Sequence, residues 1–126
     1  RDKLYGYGLH SADVEQIIAS LISDNFVNEE RFARAYAGGK FRIKKWGRIK
    51  IKAGLKARRV SDYCIRKGLE EIDGTEYGKT LRKLIANKDR SLDEKNKIRR
   101  KYKLLRFASS RGFEQDLIMG ILNEEE

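Results

Sequence analysis

Three stretches of this chain repeat one spacing of apolar residues, and that repetition constrains the fold more than any other feature. Leu4, Leu9, Val14 and Ile18 are separated by 5, 5 and 4 residues; the same spacing recurs at Leu55, Val60, Ile65 and Leu69 and at Ala108, Phe113, Ile118 and Leu122, with offsets of 51 and 53 residues. A short helix cannot bury its apolar side alone, so such a period implies units stacked on their neighbours. Each copy reads as a helix end, a tight turn and a second helix whose apolar face begins just before its cap. Gly8 and Gly112 precede the turn hydrophobe in the first and third copies, where a left-handed residue ends a helix. The second copy has Arg59 there, which costs roughly 1 kcal/mol if the same turn is kept. Asn25 before Phe26 is the next best residue for that conformation and predicts one more break.

The chain has no proline and little period-two alternation, so only glycine and short polar turns interrupt helices. Capping side chains followed by acids mark helix starts at Ser11, Asn28 and Ser61, where orphan N–H groups and the positive helix end are both served. Helices are predicted over about 11–23, 28–44, 47–58, 61–72, 75–88, 97–110 and 114–123, with residues 2–7 ending an eighth. The expected fold is all-α, an elongated tandem array of three-helix modules of about 50 residues. Residues 1–23 are the end of a first, truncated module, 24–72 a second and 73–126 a third. Within 28–44 the stripe Phe32, Ala35, Tyr36, Gly39 and Ile43 is the expected packing face. Gly38 and Gly39 weaken that helix by roughly 1 kcal/mol each relative to alanine, and admit a close approach or a bend.

Side chains for chemistry are few. His10 is the only histidine and Cys64 the only cysteine, so an internal disulfide or a multi-thiolate metal site is excluded. His10 reads as a turn residue, and Cys64, next to the core position Ile65, as a buried thiol. Neither phosphate-binding glycine loop is present. The acids fall mostly at helix starts; Glu70, Glu71 and Asp73 cluster without a second group to make a site, and Glu124 to Glu126 read as a solvated tail. No apolar run approaches the roughly 20 residues that span a bilayer, and no signal-peptide pattern is present. These features predict a soluble cytoplasmic monomer with no catalytic residue, metal or cofactor.

Charge is segregated. Lys40 to Arg59 holds ten basic residues and no acid; with 29 basic and 19 acidic residues in all, the remainder sums to zero. Lys95 to Arg111 holds eight more basic residues without an acid. Ordinary solvated helices mix the signs through intrahelical pairs, so two acid-free stretches point to a polyanionic or acidic partner. In the first, cations alternate with Phe41, Ile43, Trp46, Ile49 and Ile51, which gives two amphipathic helices meeting at Trp46-Gly47. Trp46 is placed either to stack on a base or to wedge those helices together. The charge pattern alone supports a general nucleic-acid-binding module as well as a protein-directed one.

The segment from Asp24 to Tyr36, Asp-Asn-Phe-Val-Asn-Glu-Glu-Arg-Phe-Ala-Arg-Ala-Tyr, resembles the turn, acids and Arg-Phe-Ala of the RecX family. Lys45-Trp-Gly-Arg-Ile-Lys-Ile-Lys resembles that family's Trp-Gly segment, and Ser110-Arg-Gly-Phe-Glu-Gln-Asp-Leu-Ile its C-terminal module. Arg59, Gly54 and Gly38-Gly39 depart from the pattern. The resemblance implies a regulator that binds the RecA filament on DNA and limits its ATPase, strand exchange and extension, in DNA repair, recombination and the SOS response. On this reading the filament or DNA is met by Arg42, Lys44, Lys45, Trp46, Arg48, Lys50, Lys52, Lys56, Arg58 and Arg59, with Arg99, Arg100, Lys101 and Lys103 as a second patch.

Overall fold

The computed structural model describes residues 11–124. They form six helices: α1 (Ser11–Lys44), α2 (Arg48–Ala57), α3 (Asp62–Leu69), α4 (Gly74–Ser91), α5 (Lys97–Ser110) and α6 (Gln115–Glu124). The predicted end of a helix at residues 2–7, Leu4, Gly8, Leu9, His10, the side chain of Ser11 and the last two glutamates lie outside the described residues.

The predicted break between 23 and 28 is absent. α1 runs through it as one helix of 34 residues, and Asn25 is not among the residues with positive φ. The predicted packing face is also wrong by about one residue: Ala33, Ala37 and Phe41 are buried, whereas Phe32 is 45% and Ile43 78% exposed. The cause is close helix packing. A Cβ added to Gly68 of α3 would stand 2.7 Å from the Ala33 carbonyl oxygen of α1, so small residues, not large ones, line this crossing. Gly39 faces open space and Gly38 only the Arg42 side chain; neither supports a close approach to another helix.

The repeated spacing acquires a geometric meaning. At the end of α2, Val60 N–H donates to the Leu55 carbonyl and Arg59 N–H to that of Lys56; at the end of α5, Phe113 N–H donates to Ala108 and Gly112 N–H to Ser109. These are paired C-terminal cap bonds around a left-handed residue, Arg59 at φ 60° and Gly112 at φ 94°. The first interval of 5 is therefore the pair of apolar residues flanking a helix stop. The second joins the residue before the next cap to the fourth helical position, Val60 to Ile65 and Phe113 to Ile118, the spacing of a hydrophobic staple. Ile65 and Ile118 are buried, and Val60 packs against the same core. Ser61 caps α3 by accepting the Cys64 N–H.

Helix-on-helix packing is mainly within modules, α1 against α2 and α3, and α5 against α4 and α6. Across the module boundary the turn after α1 meets the turn after α5. Gly47 N–H donates to the Arg111 carbonyl at 2.7 Å and Ile49 N–H to Gly112 at 3.0 Å. The backbones touch so closely that a Cβ on Gly47 would collide with Gly112. Tyr77 of α4 stacks between Phe41 (5.7 Å) and Phe113 (5.0 Å), which makes one continuous core of the two modules.

Candidate functional site

The end of α1 sets the geometry of the basic segment. Lys45 takes a left-handed φ of 59°; its N–H donates to the Phe41 carbonyl and the Trp46 N–H to that of Lys40, closing the helix. The Lys45 ammonium turns back to the Arg42 carbonyl at 2.7 Å, where the negative end of the helix favours a cation. Trp46 is half-buried against the core. The ammonium groups of Lys40 and Lys50 lie 4.9 and 4.6 Å from its ring centroid, a cation–π arrangement. The ring thus packs where α1 meets α2, with a lysine from each helix against it.

Several of the cations named from sequence serve the fold. Arg48 donates its backbone N–H to the Tyr77 hydroxyl at 2.9 Å and its guanidinium to Glu114 at 2.8 Å, with its charged carbon 3.9 Å from the Tyr77 ring centroid. Tyr77 in turn donates its O–H to Glu114; burial, reinforced by that carboxylate, pushes the phenol's pKa up. Arg58 donates to the Gly54 carbonyl at 3.0 Å and the Tyr36 hydroxyl at 3.3 Å. In the second patch, Arg100 donates to Asp89 at 2.5 Å and to the Asp89 and Glu94 carbonyls, fastening the α4–α5 connection. Lys103 pairs with Glu94 at 2.9 Å, and the hydrogen bond from Lys103 holds that carboxyl below the usual range. Lys101 donates to Asn123 at 3.2 Å, and Arg99, exposed, adds to the positive field on Glu94.

Arg42, Lys44, Lys52, Lys56 and Arg59 are exposed, and among the described residues none has an acid within ion-pair distance. Lys52 and Lys56 are one helical turn apart on α2, flanked by Ile49, 55% exposed. Sequence reasoning missed Lys79 and Lys83. Together with Lys45 they line a groove of about 450 Å³ on α4. Their spacing of four residues places them opposite the buried Tyr77, Leu81 and Ile85, a signal present in the sequence but masked there by neighbouring Glu76, Arg82 and Asp89.

Among the described residues no three His, Cys, Asp or Glu side chains gather as a metal site requires. Cys64 is buried, its thiol 3.9 Å from the Phe26 carbonyl. No described helix is long and apolar enough to cross a membrane.

The fold and surface define a class: three-helix modules joined through their turns, with exposed cations that have no acid partner among the described residues. The family model for the second three-helix domain of RecX matches residues 28–69, from within α1 to the end of α3. A Regulatory protein RecX of Clostridium perfringens is 32% identical over 97% of this chain and 58% of its own length. The Clostridium tetani protein of that name is 30% identical over 98% of this chain and 57% of its own length. In Chlorobaculum tepidum the corresponding figures are 31%, 92% and 70%. The chain thus spans less than two thirds of the two clostridial relatives. No solved structure matches it. The chain belongs to the RecX family of regulatory proteins.

Proposed function

We propose that this protein regulates the RecA recombinase by binding the RecA–DNA filament, limiting its ATP hydrolysis, strand exchange and extension through contact rather than catalysis. One observation carries the reading: within a fold that supplies acids to the cations it needs, Arg42, Lys44, Lys52, Lys56 and Arg59 are left exposed without any among the described residues. Arg34 illustrates the contrast, held between Glu30, Glu70 and Glu71. Unpaired like charges on one stretch repel one another, and a polyanionic or acidic surface relieves that repulsion on binding while speeding encounter. Family membership supports RecA as the partner.

The test is RecA-dependent ATP hydrolysis and strand exchange at saturating protein. Both rates are expected to fall, and unchanged rates overturn the reading. Charge reversal at Lys52, Lys56 and Arg59, all exposed, should abolish the effect while leaving the helical circular dichroism intact. Tighter binding to RecA filaments than to bare DNA at matched salt separates this function from that of a general nucleic-acid-binding module.

A further inference from the structure

The groove on α4 crosses the module junction. Lys45 comes from the turn of the second module, while Lys79 and Lys83 come from the first helix of the third. Lys79 and Lys83 are exposed and have no acidic partner among the described residues; they lie about 6 Å apart along the helix axis. Thr80 and Asn87 add neutral hydrogen-bonding side chains to the same wall, Glu76 is its one acid, and Leu84 its one apolar residue.

The groove beside α5 has a different chemistry. There Leu104 and Leu122 are joined by Ile98, which is 81% exposed. An acidic peptide bearing apolar side chains would find anchors there, whereas the α4 groove offers only Leu84. Ammonium groups interleaved with neutral hydrogen-bonding groups are what phosphate oxygens take.

We propose that the α4 groove carries the phosphodiester backbone of a single nucleic-acid strand across the junction between the second and third modules, with Lys79 and Lys83 each meeting a phosphate. This deepens the reading of the protein as a binder of a DNA-bearing filament and rests on it. Arg48, Tyr77 and Glu114 keep the two walls in register, because they bind the α1–α2 turn to α4 and to the residue preceding α6. The groups suited to phosphate, Lys79, Thr80, Lys83 and Asn87, all lie along α4, a single row that suits one strand.

The test uses the whole chain and fluorescence anisotropy of a short labelled oligothymidine across a salt series. Each lost phosphate contact on a single strand lowers the slope of log affinity against log salt by about 0.7, so Lys79→Gln with Lys83→Gln should lower it by about 1.4. Lys79→Arg with Lys83→Arg keeps the charge and should restore the slope. Lys95→Gln with Arg106→Gln removes equal charge outside the groove and should leave the slope within half of that change. An unchanged slope in the groove variant, or an equal fall in the control pair, overturns the inference. So does loss of polyglutamate binding with oligothymidine binding intact, which would make the groove a seat for acidic protein. The regulatory reading fails separately: wild-type protein that leaves RecA hydrolysis untouched yet binds oligothymidine through Lys79 and Lys83 sinks that reading alone. A groove variant with an unchanged slope and full inhibition sinks only this one.

Discussion

Residues 23–28 and 70–73 carry the same kind of punctuation and fold in opposite ways. At 70–73, successive N–H groups of Glu70, Glu71 and Ile72 donate to carbonyls three residues back, and Asp73 caps α4 by accepting the Glu76 N–H at 2.9 Å. At 23–28, Ser23, Asp24, Asn25 and Asn28 offer capping side chains, yet α1 continues. The hydrophobes beside the caps differ. Ile72 before the Asp73 cap and Tyr77 at the fourth helical position are 6% and 1% exposed. Val27 and Phe32, in the same relation to Asn28, are 52% and 45% exposed. A capping side chain contributes only about 1 kcal/mol, too little to offset the helix hydrogen bonds lost at a break unless the flanking apolar pair is buried as well. Cap residues end a helix here where there is a core for the staple.

The largest effect should come from removing that burial. Ile72→Ala is expected to cost about 2–5 kcal/mol, read from the urea midpoint, whereas Val27→Ala at the exposed equivalent should stay within about 0.5 kcal/mol. Equal losses would show that Val27 has a buried partner and that the contrast is wrong.

The caps themselves should respond with opposite signs. Asp73→Ala removes a working cap and is expected to cost about 1 kcal/mol. Asn28→Ala replaces a poor helix former inside a continuous helix and should stabilise by about 0.5 kcal/mol. A loss at Asn28 like that at Asp73 would mean that α1 breaks there. What the sequence left illegible has the same origin. The stops at Arg59 and Gly112 and the Ser61 cap depend on neighbours within a few residues, and these could be read. The inward face of α1 could not, because Ala33 and Ala37 carry a weaker hydrophobic signal than Phe32 or Ile43 and are chosen by the approach of Gly68, 35 residues beyond Ala33. The binding face was legible as charge only. Which cations the fold uses depends on acids far along the chain: Glu114 is 66 residues from Arg48, and Glu71 is 37 from Arg34.

Arg59 offers a cleaner gain, since its left-handed backbone is strained for any side chain with a Cβ. Arg59→Gly should stabilise by up to about 1 kcal/mol, the relief of that strain less glycine's greater freedom in the unfolded chain. The same substitution at Arg58, whose φ is −93°, should destabilise. A gain at both positions would assign the effect to lost charge rather than to the turn.

The smallest effect tests whether the unbroken part of α1 contributes to the module next to it. Ser61 caps α3, but the third helical position is Cys64, which has no carboxylate to return to the Ser61 N–H as a capping box does. Glu29 of α1 supplies one, accepting that N–H at 2.5 Å. The bond from the Ser61 backbone holds the Glu29 carboxyl below its ordinary 4.5. A depressed folded value means stability that is present above pH 4.5 and lost as pH falls through the folded value, because the unfolded state takes up the proton first. The urea midpoint of the wild type should therefore exceed that of Glu29→Gln at neutral pH, and the gap should close on acidification below about pH 4.5. Glu94 and Glu124, also held low by Lys103 and Arg82, contribute to both proteins and cancel in the difference. A gap that persists unchanged into acid would mean that Glu29 acts by packing and that α1 does not cap α3.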